Sequence, residues 1–271
     1  MIRDEYLRRL VDAAYVDVYL SATDGARLYW PWRMMPVHEA DKRHRNACER
    51  FIVDSSFQDE SITNEDVLDM GETLDAEAVV LADVWHDVDA TVDALVDGIN
   101  MYDDHPFDGD VLLPLQPPHA ECYRRLISRG VSVDHIFAVG GVKDKPDSVK
   151  LDAAKQLRDV AGPDVHIHGL GYGVTDTTVR GIRQNPDLLD SIDYSTPMQS
   201  GLDGTVAPGD ERMSVAAMRA ASQLVEDLRL VSPFVTVDED TEQVGLNDIF
   251  AATDAGNDQS LQPETDTEAH E

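Results

Sequence analysis

Seven short apolar segments recur through the first 194 residues, and each ends in a polar residue or a glycine or is followed directly by one. Within them the apolar side chains run continuously and do not alternate with polar ones, which is typical of strands buried on both faces of a parallel sheet. Helix-like stretches separate them at intervals of roughly thirty residues, as repeated βαβ units require. The predicted strands cover 16–21, 51–54, 78–83, 111–116, 135–139, 165–169 and 191–194.

This number of βαβ units favours a closed (β/α)8 barrel over an open α/β sheet. The eighth unit is the least regular, because 214–230 has the pattern of a helix whereas 232–238 could form a strand or an extended arm. We predict an α/β fold with one minimal TIM barrel over residues 1–250 and an acidic, disordered tail at 251–271, which lacks an apolar period. Helices are predicted at 89–101, 118–129, 147–160 and 175–189.

The net charge of the chain indicates the kind of solvent in which the protein works. There are 53 acidic and 22 basic residues, so the net charge is 22 − 53 = −31. A surface of this kind repels itself in dilute buffer and is screened in concentrated salt, which indicates a halophilic source. The sequence contains no apolar run long enough for a membrane span and no signal-peptide core, so we expect a soluble, cytoplasmic protein. Cys48 and Cys122 lie far apart, which predicts neither a disulfide framework nor a zinc site.

The first fifty residues differ from the rest in charge, since they contain nine Lys or Arg residues and eight acidic ones. Within them the segment LYWPWR brings Tyr29, Trp30, Trp32 and Arg33 together. This segment could form a face that admits a polyanion and stacks on its bases. It could equally pack the floor of the barrel, and the sequence leaves both interpretations open.

Reactive groups in a (β/α)8 barrel lie at the carboxyl ends of the strands. The strongest candidates are Asp54 and Asp193, because two carboxylates that flank a glycosidic carbon can divide nucleophilic attack and proton transfer between them. An aspartate that ends a strand can also cap a helix or form a turn. The other polar or glycine residues at strand ends are Asp83, Gln116, Gly140, Gly141, His168 and Gly169.

His166 and His168 suggest an alternative chemistry. They lie two residues apart on one face of a predicted strand, which is the HxH pattern of metal sites in amidohydrolase barrels. Such sites need further histidine ligands from other strands, and the remaining histidines fall mostly in predicted loops or helices. A metal-dependent barrel hydrolase is one competing hypothesis, and the small number of candidate ligands disfavours it.

Two glycine-rich segments follow predicted strands. Gly140 and Gly141 could let a planar ligand approach the backbone, or they could form a tight βα turn. The segment GLGYG at 169–173 matches neither of the common phosphate-binding patterns and predicts a flexible loop at the barrel mouth.

Six segments, in order from residue 51 to residue 201, resemble those of the tRNA-guanine transglycosylases and their DNA-modifying 7-deazaguanine relatives. FIVDSSFQ is similar to the DSGGFQ segment of the family, FAVGGV to its AVGG segment, and DSIDYSTPMQSG to the DxxDxxxPxxSG stretch that carries the nucleophile. AVVLADV, VLLPLQ and VHIHGLG resemble the family strands that end in a substrate-binding Asp, in a Gln and in hGxG.

The resemblance implies an exchange of guanine in a nucleic acid for a 7-deazaguanine of the preQ0 or preQ1 kind, without a cofactor. It makes Asp193 the nucleophile at C1′ of the target nucleotide, forming a covalent aspartyl-glycosyl intermediate, and Asp54 the general acid and base. The residues implied to bind the base are Asp83, Gln116, Gly140, Gly141 and Val142, with Ser55 and Gly169 beside them.

The chain departs from the family pattern in ways that bear on its substrate. DSSFQ is one glycine shorter than DSGGFQ, Gln199 replaces a frequent Arg, and the CxCxxC zinc ligands are absent. A metal-free, minimal barrel is most similar to the relatives in phages and viruses. We therefore expect DNA as the substrate, with tRNA as the alternative, and a viral or archaeal protein that acts in the cytoplasm, of the host if viral, and can form a homodimer. A non-catalytic, nucleic-acid-binding subunit of a partner transglycosylase is a further alternative.

Overall fold

The computed structural model describes residues 16–21, 30–55, 61–172 and 175–194, together with seven further positions, 5, 8, 9, 11, 12, 14 and 225. Eight parallel strands close into a barrel in the order of the chain, and the first strand pairs with the last. The predicted (β/α)8 fold is confirmed. The predicted helix at 214–230 and the predicted tail at 251–271 lie outside the described residues, apart from position 225.

All eight strands are short and mostly buried, because helices cover their outer face and side chains from the other strands fill the interior. Seven of them match the predicted segments to within a few residues. They span Asp17–Ser21 (β1), Trp32–Pro36 (β2), Arg50–Asp54 (β3), Ala78–Val80 (β4), Asp110–Leu115 (β5), Ile136–Val139 (β6), Ile167–Gly169 (β7) and Ser191–Tyr194 (β8).

Side-chain caps fix where several of the helices begin. Thr63 Oγ1 accepts a hydrogen bond from the Asp66 N–H, and the Asp66 carboxylate accepts one from the Thr63 N–H, which is a capping box. Asp87 caps the next helix through the N–H of Ala90. None of the helices in the described ranges is long and apolar enough to cross a membrane. Within the continuously described ranges, the helices are Lys42–Arg45 (α1), Asn64–Leu74 (α2), Val88–Asp103 (α3), His119–Ser128 (α4), Asp147–Ala161 (α5) and Asp176–Gln184 (α6).

The strand absent from the sequence prediction is β2. Its sequence, WRMMP, contains Arg33 and ends in Pro36, so it lacks the run of branched apolar residues that marks the other strands. It nevertheless pairs in parallel with both β1 and β3. The strand that the sequence left unplaced is therefore β2, and the barrel closes at β8 without a strand from 232–238. Residues 232–238 themselves lie outside the described part of the chain.

For the two tryptophans of the segment LYWPWR, burial decides between the two interpretations that the sequence left open. Trp30 is fully buried and donates its indole N–H to the Val18 carbonyl at 3.1 Å. Trp32 and Arg33 are 6% and 1% exposed. These side chains cannot stack on the bases of a nucleic acid, so the interpretation that the segment packs the barrel is confirmed for the two tryptophans. Tyr29 lies outside the described residues.

An ionic cluster fills the barrel interior at the amino ends of the strands. Arg50 Nη1 lies 2.6 Å from Asp17 Oδ2, and Arg50 Nε lies 2.7 Å from Glu77 Oε1. The guanidinium of Arg50 also lies over the rings of Tyr19 and Trp32, 5.3 and 4.7 Å from their centroids. Paired charges and aromatic rings occupy this end, whereas the candidate reactive residues lie at the opposite, carboxyl end.

Candidate active site

Asp193 lies at the third position of β8, with its side chain in the barrel interior and only 7% exposed. Ser21 Oγ, at the end of β1, donates to Asp193 Oδ2 at 2.9 Å, and the Gly171 N–H after β7 donates to Oδ1 at 2.5 Å. His168 Nε2 lies 3.8 Å from Oδ1, which is an electrostatic contact and too long for a hydrogen bond. Three strands therefore fix the carboxylate in one orientation.

The neighbours of Asp193 keep it ionised. Burial alone would raise the pKa of this carboxyl, because water no longer solvates its charge. The His168 imidazole, the Gly171 amide and the Ser21 hydroxyl outweigh burial and place the pKa of Asp193 below its usual value. A buried carboxylate that stays charged at neutral pH can attack an electron-poor carbon or stabilise a cationic one.

His166 and His168 share one partner, the hydroxyl of Ser191. Its Oγ lies 2.9 Å from His166 Nε2 and 2.8 Å from His168 Nδ1. Burial lowers the pKa of His166, which favours its neutral form. Within the described ranges this pair belongs to no group of three or more metal-ligating side chains, although the metal-hydrolase hypothesis requires one.

The loop after β7 packs through contacts that two glycines allow. A Cβ on Gly169 would lie 2.7 Å from the Tyr172 ring, so the missing side chain makes room for that ring. Gly171 has a φ of +62°, and its carbonyl accepts a hydrogen bond from Lys150 Nζ at 3.0 Å. The Tyr172 hydroxyl donates to the Lys150 carbonyl. Helix α5 thus holds the loop whose N–H donates to Asp193.

Asp83 and Gln116, at the ends of neighbouring strands, contact each other directly. Gln116 Nε2 donates to Asp83 Oδ2, and Gln116 Oε1 accepts from the His86 N–H at 3.0 Å. Burial raises the pKa of the Asp83 carboxyl, and the hydrogen bond from Gln116 opposes that shift. An amide and a carboxyl placed side by side offer donors and acceptors along one line, which suits the edge of a purine.

Gly140 and Gly141 lie against the side chain of Gln116. Gly141 has a φ of +66°, and a Cβ there would lie 2.5 Å from Gln116 Oε1. The Gly140 carbonyl accepts a hydrogen bond from His119 Nε2 at 2.8 Å. Gly141 therefore forms the tight turn that the sequence left open, and its missing Cβ leaves room for Gln116. Val142, which follows, is 2% exposed.

Asp54 ends β3, four residues after Arg50, so its side chain lies on the same interior face of the barrel. Strands β1 and β2 separate it from the strand of Asp193, so the two predicted catalytic carboxylates are not on neighbouring strands. Ser55 is 5% exposed, and its hydroxyl donates to the Leu81 carbonyl at 3.4 Å. The structure thus gathers one group around Asp193 and another around Gln116.

Sequence reasoning did not identify several residues of these two groups. Ser21 ends the first predicted strand, so the rule that selected Asp54 could also have found it. Trp85 and His86 follow Asp83, and their rings stack with centroids 4.6 Å apart and planes at 20°. An aromatic pair directly after a strand-end aspartate was the available signal. Lys150 and His119 lie within helices and carried no signal.

One group of metal-ligating side chains does occur in the described ranges, with ligand atoms of Asp69, Glu72 and His105 within 4.8 Å of one another. It lies on α2 and before β5, outside the strand ends. His105 Nδ1 accepts from the Phe107 N–H at 3.1 Å, so the neutral ring carries its proton on Nε2. That nitrogen lies 3.1 Å from Asp69 Oδ1. The group is a histidine hydrogen-bonded to a carboxylate, and we assign it no metal.

No protein-family model matches the chain, and no curated protein sequence matches it. Solved structures do match. A provisionally assigned fructose-1,6-biphosphate aldolase from Coccidioides immitis is 12% identical, with 84% of this chain and 94% of that chain covered and a TM-score of 0.50. The YdjI aldolase from Escherichia coli K12 is 11% identical, with 83% and 96% covered and a TM-score of 0.48. The first likeness shows the barrel fold alone.

Proposed function

We propose that the protein is a base-exchanging enzyme, which replaces guanine in a nucleic acid by a 7-deazaguanine through a covalent bond between Asp193 and C1′. The environment of Asp193 carries this proposal. Its carboxylate is buried and ionised, and β1 and the loop after β7 hold its two oxygens. The ordered strand-end segments that resemble the guanine transglycosylases supply the substrate class.

The reaction has two half-reactions of the same kind. In the first, an Asp193 oxygen attacks C1′ of the target nucleotide, and the bond from C1′ to N9 of guanine breaks with its electron pair on N9. Asp54 gives a proton to the departing guanine. In the second, the incoming base loses its N9 proton to Asp54, and its N9 displaces Asp193 from C1′.

Asp83 and Gln116 recognise the heterocycle in this proposal. Their mutual hydrogen bond leaves an N–H of Gln116 and an oxygen of Asp83 for the edge of the base. The His86 N–H holds Gln116 Oε1, and Gly141 leaves room for it, so the amide has one orientation. A base inside a polymer must leave its stack to enter such a pocket. A pocket that pairs with a guanine-like edge rejects bases that lack its donors.

We propose DNA as the polymer, with tRNA as the alternative, on the resemblance to the DNA-modifying relatives. The net charge of −31 repels phosphates, and the salt that screens it also weakens binding by counterion release. Contacts to the base should therefore contribute more to affinity than contacts to the phosphates.

The test incubates the protein in concentrated KCl with labelled guanine and either duplex DNA or tRNA. We expect label in one polymer and a protein–nucleic acid adduct that survives denaturation. Asp193→Asn should lose both, because its amide is a poor nucleophile. Asp187→Asn, which removes an exposed carboxylate six residues earlier, should keep both.

Exchange that continues in Asp193→Asn would contradict the proposal. The non-catalytic subunit hypothesis gives a different result. In that case the purified protein binds nucleic acid but exchanges no base until a partner transglycosylase is added.

A further inference from the structure

The loop after β4 exposes a large aromatic side chain beside the proposed base pocket. Trp85 is 52% exposed, whereas the other two tryptophans, Trp30 and Trp32, are 0% and 6% exposed. Val84, which precedes it, is 40% exposed, so the apolar surface extends over two adjacent residues. The ring of His86 stacks on the indole and supports it from one side.

The backbone that carries Trp85 is fixed on both sides. The Val84 N–H donates to Thr91 Oγ1 at 3.1 Å, and the Thr91 hydroxyl donates to the Val84 carbonyl at 2.9 Å. His86 has a φ of +61°, a conformation that side-chain-bearing residues rarely adopt, and its N–H donates to Gln116 Oε1. The indole therefore projects from a defined place, directly linked to the amide that is proposed to read the base.

We propose that Trp85, supported by His86, is a stacking site for the nucleobase next to the exchanged guanine in a single-stranded or locally opened nucleic acid. The identity of this ligand rests on the proposed base exchange. Extruding a base leaves its neighbour without a stacking partner, and an exposed indole at the pocket edge can replace that partner. Every base has a π face, so this site tolerates any neighbouring base.

The charge around Trp85 favours a base over a phosphate as the group that it contacts. Asp87 and Asp89 follow in the same exposed stretch, and Arg125 pairs with Asp89, so a phosphate placed beside Trp85 would meet the carboxylate of Asp87. Stacking requires no counterion release, so it persists in the salt that screens a charge of −31. The contribution of Trp85 to affinity should accordingly change little with salt concentration.

The test uses a short single-stranded oligonucleotide that contains one guanine, titrated into the protein in concentrated KCl. Because Trp85 alone among the three tryptophans is exposed, acrylamide quenching of intrinsic fluorescence reports on it. We expect the oligonucleotide to protect this fluorescence from acrylamide. Trp85→Ala should raise Kd by about 5- to 150-fold, as base–aromatic stacking elsewhere indicates. Trp85→Tyr should restore most of the affinity.

Val133→Ala is the matched control, since Val133 is 49% exposed and lies before β6, at the opposite end of the barrel. Its Kd should equal that of the wild type. An unchanged Kd in Trp85→Ala, or no binding by the wild type, would overturn the stacking site. Self-association of the protein would also overturn the stacking site if it protects Trp85 from acrylamide and if Trp85→Ala abolishes it. Trp85 would then lie in a protein interface.

The two proposals fail in different ways. Trp85-dependent binding without exchange of guanine in any polymer would remove the proposed function and leave the stacking site. Exchange that proceeds with an unchanged KM for the polymer in Trp85→Ala would remove the stacking site alone.

Discussion

His168 Nε2 lies 3.8 Å from Asp193 Oδ1 inside the barrel and makes no hydrogen bond within the described ranges. The other ring nitrogen of His168 contacts Ser191 Oγ, which also contacts His166. One hydroxyl proton cannot serve both rings, so at least one histidine donates to the serine. If His168 Nδ1 accepts that proton, its neutral ring carries N–H on Nε2 and directs it at the carboxylate. This tautomer is favoured, because the other neutral one sets a lone pair against the charge of Asp193.

Replacing His168 should alter the pH dependence of exchange. His168→Leu removes the favourable contact with the carboxylate, so the pKa of Asp193 should rise and the acid limb of the kcat profile should move to higher pH. His168→Gln, which keeps an N–H donor, should move the limb less. KM for the incoming base should stay unchanged, because His168 lies in the Asp193 group. An acid limb that does not move in His168→Leu would contradict the contact.

Gly141→Ala should lower both stability and base affinity. The substitution places a Cβ 2.5 Å from Gln116 Oε1 and should displace the amide from Asp83 and His86. Gly130→Ala is the control, because Gly130 also has a positive φ, +91°, but a Cβ there meets nothing within 4 Å. Gly130→Ala should cost about 1 kcal/mol of unfolding free energy through its backbone conformation alone. Gly141→Ala should cost roughly 1–3 kcal/mol more through overpacking.

Equilibrium denaturation in concentrated salt measures the stability difference, and steady-state kinetics gives KM for the base. KM should rise in Gly141→Ala and stay unchanged in Gly130→Ala. Equal losses of unfolding free energy in the two variants would contradict this, because they would show that Gln116 moves aside without cost and that Gly141 does not fix its position.

The barrel could be predicted because its strands are buried on both faces, so their apolar residues are continuous in the sequence. β2 could not be predicted, because Arg33 interrupts it. That arginine is 1% exposed, and burial lowers its pKa. Sequence reasoning places arginines at the surface by default, and this exception depends on packing that only the folded barrel provides.

The strand-end rule identified Asp193, Asp83 and Gln116 because the fold places every strand end at one edge. The rule could not predict that Gln116 contacts Asp83, or that Ser21 and the Gly171 N–H donate to the same carboxylate. These contacts join segments that are far apart in the chain, and they depend on the register of neighbouring strands. Strands β1 and β8 pair with Tyr19 opposite Asp193. Ser21 follows Tyr19 by two residues on the same face of β1, so its hydroxyl reaches the Asp193 carboxylate.

Lys150→Met should reduce exchange through the loop after β7. Lys150 is 5% exposed and donates to the Gly171 carbonyl, whose own N–H donates to Asp193. Methionine has a similar length but no donor, so the carbonyl loses its partner and the loop loses one restraint, at a cost of about 1–3 kcal/mol. kcat should fall while KM for the base stays unchanged. Lys155→Met, on the exposed face of the same helix, makes the same charge change and should leave kcat unaltered.

His119 should make stability depend on pH. Burial lowers the pKa of its imidazole below the usual 6.5, and the hydrogen bond to the Gly140 carbonyl opposes only part of that shift. Below pH 6.5 the unfolded chain therefore binds a proton that the folded chain resists. The contribution of His119 to the unfolding free energy is therefore fully present above pH 6.5. It decreases as the pH falls below that value, by at most about 1.4 kcal/mol per pH unit.

The variant His119→Gln separates the effect of His119 protonation on the unfolding free energy from the effect of its packing. The difference in unfolding free energy between wild type and variant should be constant above pH 6.5, where it reports the lost packing and hydrogen bond. Below that pH the difference should shrink, because only the wild type continues to lose stability through this position. The comparison cancels the carboxylates, which titrate in both proteins. Denaturation curves at several pH values in the same salt measure it, and a difference that stays constant through the acid range would contradict a neutral, buried His119.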